Sequence, residues 1–213
     1  MNETALREAI CRFGRSLFER GLTPGASGNI SVRLDDGGWL CTPTDASLGF
    51  LDPARIARLD RNRVLLSGDK PTKEIPLHDA LYDTRPDAGA VVHLHSTHAV
   101  ALSTLPDLDP AEALPPITPY VVMRVGKLAL IPYDMLGDPA VATAIRGLAG
   151  RHSAVLLANH GPVVAAKKLD AAVFAIEELE ETAKLVLLLR NLNPRVLTPD
   201  QVAALVERFN LAS

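Results

Sequence analysis

His93-Leu94-His95 closes the apolar run Ala90-Val91-Val92, and a second apolar run, residues 154–158, delivers Asn159-His160-Gly161. Side chains alternate faces along a strand, so His93 and His95 are predicted to point the same way. Two imidazoles side by side, with a third from a later strand end, make a tri-histidine site for a divalent metal such as zinc. Taken singly, each histidine is better explained as a satisfied core or surface residue. The clustering, and the glycine after His160, favour the metal.

Two other stretches carry polar groups that could serve such a centre. Lys70-Pro71-Thr72-Lys73-Glu74-Ile75-Pro76-Leu77-His78 sets a carboxylate, an ammonium and a hydroxyl between prolines. Acid-base chemistry beside a metal needs a carboxylate that is not locked in coordination, and Glu74 is the candidate. By position alone it is also a solvated surface charge. In Gly25-Ala26-Ser27-Gly28-Asn29 the glycines let a backbone approach an anion, and Ser27 and Asn29 add side-chain donors. The loop matches neither a P-loop nor a dinucleotide fingerprint, and a plain turn remains open. The hydroxyls of Thr42-Pro43-Thr44 either bind phosphate or terminate a strand.

The elements that must position these residues alternate between helix and strand. Leu6, Ile10, Phe13, Leu17 and Phe18 recur at helical spacing over residues 3–20, ending at Gly21. Residues 30–34 alternate as a half-buried strand, Asp35-Asp36-Gly37-Gly38 signals a hairpin, and residues 38–42 return. Short helices are predicted near Asp52-Pro53, from Pro76 to Tyr82 and from His98 to Leu105. The proline-rich stretch 106–124 resists assignment. A strand follows over residues 127–132, a helix over 138–148, a strand pair broken at His160-Gly161 over 154–165, and a long helix over 169–192. Thr198, Pro199 and Gln201 form the start signal of a last helix. The expected organisation is one α/β domain over residues 1–213.

Composition narrows the function classes. The 213 residues carry a net charge of -3, with 47% hydrophobic and 22% charged residues, which suits a soluble globular chain and gives no reason to expect nucleic acid. Cys11 and Cys41 do not make a disulfide framework. No apolar stretch approaches a membrane span and the N-terminus lacks a signal-type core, so a cytoplasmic protein is expected.

The ordered set GNIS at 28–31, TPT at 42–44, KPTKE at 70–74, HLHSTH at 93–98 and NHG at 159–161 resembles the class II aldolase/adducin family. The resemblance covers roughly residues 5–190. It implies a central, mainly antiparallel sheet flanked by helices, assembled as a homotetramer with sites between subunits. It implies zinc on His93, His95 and His160, with Glu74 as the acid/base carboxylate. It places Gly28, Asn29, Thr44, Thr72 and Lys73 at the substrate phosphate or adjacent oxygens. Tyr120 would give a proton or touch substrate from a neighbouring subunit, or simply pack.

Lys73 stands where the sugar-phosphate aldolases and epimerases usually carry a small hydroxyl residue, and Asp45 where they carry glycine. With Ile117-Thr118-Pro119-Tyr120 and Ile131-Pro132-Tyr133, this is most similar to the family's 3-oxo-tetronate 4-phosphate decarboxylases. The implied reaction releases CO₂ through an enediolate and leaves dihydroxyacetone phosphate, with Glu74 in its acid form giving the proton and Lys73 pairing with a substrate anion. A fuculose-phosphate type aldolase or a 4-epimerase is the alternative. A non-catalytic adducin-like module is more remote, because all three histidines and Glu74 are kept. His98 reads as a supporting residue, His78 and His152 as solvent or capping residues, and Arg124 and Lys127 as surface charges or part of the phosphate cradle.

Overall fold

The computed structural model describes residues 2–135 and 139–211. Among them eight strands form one sheet: β1 (Asn29–Arg33), β2 (Trp39–Cys41), β3 (Ala57–Leu59), β4 (Leu65–Ser67), β5 (Ala90–His93), β6 (Leu128–Ile131), β7 (Ala154–Leu157) and β8 (Gly161–Ala166). Their order is β4-β3-β2-β1-β5-β8-β7-β6, and among the described residues only β6 and β7 run parallel. The helices are α1 (Glu3–Glu19), α2 (Ile75–Thr84), α3 (Thr97–Ser103), α4 (Pro119–Arg124), α5 (Pro139–Gly147), α6 (Leu169–Leu189) and α7 (Pro199–Phe209). The mainly antiparallel α/β architecture expected from the resemblance is the one observed.

Helices cover both sheet faces, which explains why the central strands read as unbroken apolar runs. Ile30, Val32, Val92, Leu156 and Val164 pack with residues of α1, α3, α4 and α6 on one face. Trp39, Cys41, Val91, Val155 and Val163 pack with α2 and α5 on the other. Each fully buried aliphatic side chain stabilises this arrangement by about 1.5–3 kcal/mol relative to exposure.

Capping signals set the helix starts. The Thr198 side chain accepts from the Gln201 backbone and Gln201 returns the bond to Thr198, the capping box expected for α7. The same chemistry starts α4, where Thr118 accepts from Val121 N–H at 3.2 Å and Pro119 occupies the first turn. That start lay within the stretch left unassigned from sequence. Strands β3 and β4 escaped the sequence reading because three-residue strands offer no alternation to detect. The helix expected from Asp138 is observed from Pro139; Asp138 itself lies outside the described residues.

Strand β5 ends at His93, so His95 is not a strand residue as the alternation argument assumed. The chain stays bound to β8 for one more residue, through Leu94 N–H to the Pro162 carbonyl at 3.2 Å, and then turns into α3. Glu180 of α6 satisfies that helix start: its carboxylate accepts from the backbone N–H groups of His98 and Ala99 at 2.9 and 2.8 Å.

Candidate active site

His93, His95 and His160 meet at the sheet's centre. Their Nε2 atoms stand 3.0 Å apart for His93 and His95, 3.0 Å for His95 and His160, and 3.3 Å for His93 and His160. Nitrogen ligands at 2.0–2.1 Å from one tetrahedral metal lie about 3.3 Å from each other, so the donor set fits a divalent metal closely. The Nδ1 of fully buried His93 donates to the Pro162 carbonyl at 2.9 Å, which leaves its Nε2 lone pair bare toward the cluster. Burial lowers the His93 pKa to about 4, despite the opposing pull of Glu74. Burial also lowers those of His95 and His160. All three are therefore neutral, ligand-ready imidazoles at neutral pH.

Glycines hold the segments that bear these ligands together. Gly28 sits at φ +77°, and a Cβ there would stand 2.9 Å from the His93 carbonyl oxygen. A Cβ on Gly161, at φ +150°, would meet the Leu94 carbonyl oxygen at 2.4 Å. A methyl group at either position requires the ligand-bearing chain to move.

Glu74 faces the cluster from the residue before α2. Its Oε2 lies 3.5 Å from His93 Nε2 and its Oε1 lies 3.5 Å from His160 Nε2, and Asn29 Nδ2 donates to Oε2 at 2.5 Å. Burial pushes the carboxyl pKa up, but His93 and the Asn29 hydrogen bond outweigh it, and the net direction is down. Glu74 therefore rests as a carboxylate and takes up a proton before it can act as the acid-form donor. The Thr72 hydroxyl accepts from Glu74 N–H at 3.2 Å and fixes the turn that aims it.

A cleft of about 220 Å³ opens over these groups and is lined by Gly28, Asn29, Thr44, Thr72, Lys73, Glu74, His95 and His160, among others. The fold thus gathers every residue that the resemblance assigned to metal, acid/base or phosphate, except Tyr120 and the buried His93 behind the wall. Within the loop, Ser27 is not a free donor, since its hydroxyl bonds the Pro24 carbonyl at 2.6 Å. Asn29 lines the cleft with both ends of its amide engaged, by Glu74 and by His78. Lys73 Nζ lies 3.4 Å from Asp45 Oδ1 at the exposed rim, so the two departures from the aldolase pattern face each other. A smaller hollow of about 50 Å³ shares Lys73, Glu74 and His160 with this cleft and is also lined by Pro132, Tyr133 and Met135.

Tyr120 is 55% exposed on α4 and does not line this cleft within the chain. Arg124 lies beside the Tyr120 and Phe174 rings, and neither it nor Lys127 reaches the cleft. His98 is supporting, as read: its Nδ1 meets Glu180 Oε1 at 2.8 Å. The reading of His78 as a solvent or capping residue is overturned. Its side chain is fully buried and bonds Asn29 Oδ1 through Nε2 at 2.5 Å and Ser31 Oγ through Nδ1 at 2.7 Å. The signal available in the sequence was the helical spacing of Glu74, His78 and Tyr82, which stacks them on one face of α2.

The model of the class II aldolase and adducin N-terminal domain matches residues 8–187. A 3-oxo-tetronate 4-phosphate decarboxylase from Cupriavidus necator is 55% identical over 183 residues, 86% of this chain and 84% of that one. An L-fuculose phosphate aldolase from Haemophilus influenzae is 31% identical over 214 residues, covering 99% of this chain and 96% of its own. The crystal structure of YgbL from Klebsiella pneumoniae superimposes with a TM-score of 0.93 at 48% identity, over 96% of this chain and 99% of that one.

Proposed function

The chain belongs to the class II aldolase and adducin family and is a lyase, and on that premise we propose that it decarboxylates 3-oxo-tetronate 4-phosphate to dihydroxyacetone phosphate and CO₂. The observation that carries this reading is the pairing of a ligand-ready tri-histidine cluster with a carboxylate 3.5 Å away, beside a cleft whose rim holds Lys73. The identity to decarboxylases supports the choice of reaction.

His93, His95 and His160 would hold a divalent metal such as zinc, which would supply a Lewis acid for the substrate oxygens on which charge develops. The chain's own residues do the rest. Thr44 and Thr72 offer hydroxyls, and the backbone at Gly28 a close approach, for the phosphate and adjacent oxygens. Lys73 leaves Asp45 to pair with a substrate anion and holds the carboxylate without gripping the product. As the C1–C2 bond breaks, its electron pair moves into an enediolate across C2 and C3. Glu74 delivers a proton to C2, and because it rests ionised, that proton is first collected from solvent; the reaction takes up one proton overall.

Tyr120, exposed on one chain, serves the cleft of a neighbouring subunit in a homotetramer with sites at subunit interfaces. Residues 1–213 act as one domain in the cytoplasm; no helix among the described residues is long and apolar enough to cross a membrane.

The test is product analysis. The zinc-loaded protein is incubated with 3-oxo-tetronate 4-phosphate and, separately, with fuculose 1-phosphate, and CO₂, dihydroxyacetone phosphate and aldehyde are measured. CO₂ with dihydroxyacetone phosphate from the acid is expected. Aldehyde from the sugar phosphate with no CO₂ from the acid overturns the decarboxylase reading in favour of the aldolase.

A further inference from the structure

We propose that His78 is a positioning residue for the reaction: acting through Asn29, it holds the Glu74 carboxylate against the histidine cluster, as the middle member of a directed hydrogen-bond chain that begins at Tyr82. The inference rests on the reading of Glu74 as the proton-transferring group.

Two stripes face each other to build the chain. Glu74, the residue before α2, and His78 and Tyr82 within it follow one another at four-residue intervals, and Asn29 and Ser31 alternate onto one face of β1. Register places Asn29 opposite His93 and Ser31 opposite Val91, so the β1 stripe lies on the sheet face that meets α2. The contacts run Tyr82 Oη to Ser31 Oγ at 3.0 Å, Ser31 Oγ to His78 Nδ1 at 2.7 Å, His78 Nε2 to Asn29 Oδ1 at 2.5 Å, and Asn29 Nδ2 to Glu74 Oε2 at 2.5 Å.

The chemistry of each group allows one direction only. An ionised carboxylate accepts and cannot donate, so Asn29 must turn its Nδ2 toward Glu74. Its Oδ1 then faces His78 and can only accept, so His78 Nε2 must carry the hydrogen. Burial, which lowers the His78 pKa to about 3, keeps the ring neutral and leaves Nδ1 bare. Nδ1 therefore accepts from the Ser31 hydroxyl. Tyr82 Oη closes the far end with a single hydrogen that has two acceptors in reach, Ser31 Oγ at 3.0 Å and the Ser31 carbonyl oxygen at 3.2 Å. Every buried polar group in the chain has a partner, and the amide of Asn29 has one orientation.

A residue without a donor at position 78 removes the hydrogen that pins Asn29 Oδ1. The amide is then free to rotate, and in its flipped orientation it sets an oxygen against the Glu74 carboxylate. A small displacement of a proton-transfer group is costly in rate while leaving substrate contacts at the rim intact.

The experiment compares His78→Phe, which removes the donor, with His78→Gln, whose Nε2 amide can still donate to Asn29. Ser31→Ala and Tyr82→Phe cut the chain progressively farther from Glu74. In the full-length zinc-loaded protein, kcat and KM for CO₂ release, Tm, and solvent-exchange protection of the Asn29 side-chain amide protons by NMR are measured. His78→Phe is expected to lower kcat by ~100-fold with KM within about threefold. His78→Gln recovers at least about tenfold of that loss, and Ser31→Ala and Tyr82→Phe cost successively less. Asn29 amide protection is lost in His78→Phe and kept in His78→Gln. Losses in kcat that follow Tm instead of distance from Glu74, or a folded His78→Gln as poor as His78→Phe, overturn the proposal. Unchanged Asn29 protection in His78→Phe overturns it too. If His78→Phe does not fold, His78→Gln and Ser31→Ala still decide it. Absence of CO₂ release by the wild type sinks the decarboxylase reading alone, because Asn29 protection is read without turnover.

Discussion

The inner wall of the site and its rim are built on opposite principles. His93, Asn29, Ser31, His78 and Tyr82 are all at most 5% exposed, and each is held by hydrogen bonds to fixed partners. At the rim, Lys73 and Asp45 form an ion pair while their side chains are 69% and 78% exposed. A buried network loses much when one member is removed, whereas an exposed pair is screened and contributes little to stability. The wall can therefore fix the geometry of bond breaking while the rim changes without disturbing the fold. Relatives with different names, decarboxylase at 55% identity and aldolase at 31%, match this one chain over most of its length.

The sharpest way to break this contrast is Glu74→Gln at the wall. The substitution keeps shape and the hydrogen bond from Asn29 but removes the group proposed to pass the proton. Steady-state kinetics should show kcat lower by ~10³-fold with KM little changed. Retention of more than a tenth of the activity would place the proton transfer elsewhere.

A smaller effect, on stability, separates wall from rim by pH. Burial sets the folded-state pKa of His78 at about 3 against an ordinary 6.5, so the unfolded chain binds more protons between those values. Stability is thus fully present above pH 6.5 and falls as pH drops toward 3, at about 1.4 kcal/mol per pH unit for this one residue. Urea unfolding at pH 7, 6 and 5 measures the slope in wild type and in His78→Gln. An equal slope in both would mean His78 is not the buried neutral group described.

The smallest effects belong to the rim. Lys73→Ala should raise KM and lower kcat together, by roughly tenfold in kcat/KM, the scale of one lost charge-assisted contact. Asp45→Asn should leave unfolding stability within about 0.5 kcal/mol. Unchanged kinetics in Lys73→Ala would remove Lys73 from the site.

The difference between wall and rim also decided what could be read in advance. The clustering of His93, His95 and His160 was legible from residue type and spacing, whereas Glu74 stood out only through the motif that carries the family resemblance. Helices α1 and α7 were legible from apolar periodicity and the capping box. The role of His78 was not, because its meaning depends on which face of α2 meets the sheet, and that is set by pairing β1 with β5 across a long stretch of chain. The protonation state of Glu74 was likewise hidden, since His93 and the hydrogen bond from Asn29, 45 positions away, together hold its carboxyl down against burial. Tyr120 shows the converse limit: its motif was readable, but within one chain nothing brings it to the cleft.

Gly28 and Gly161, far apart in sequence, press on consecutive carbonyls of the segment His93-Leu94. They contribute no side-chain donor, charge or proton, yet they act as a two-sided mould around the chain that carries His93 and His95. In a saturation scan of this protein, positions 28 and 161 should tolerate replacement as poorly as the histidines themselves. Intolerance to replacement at these two sites would record the room the backbone needs, not any chemistry the residues perform.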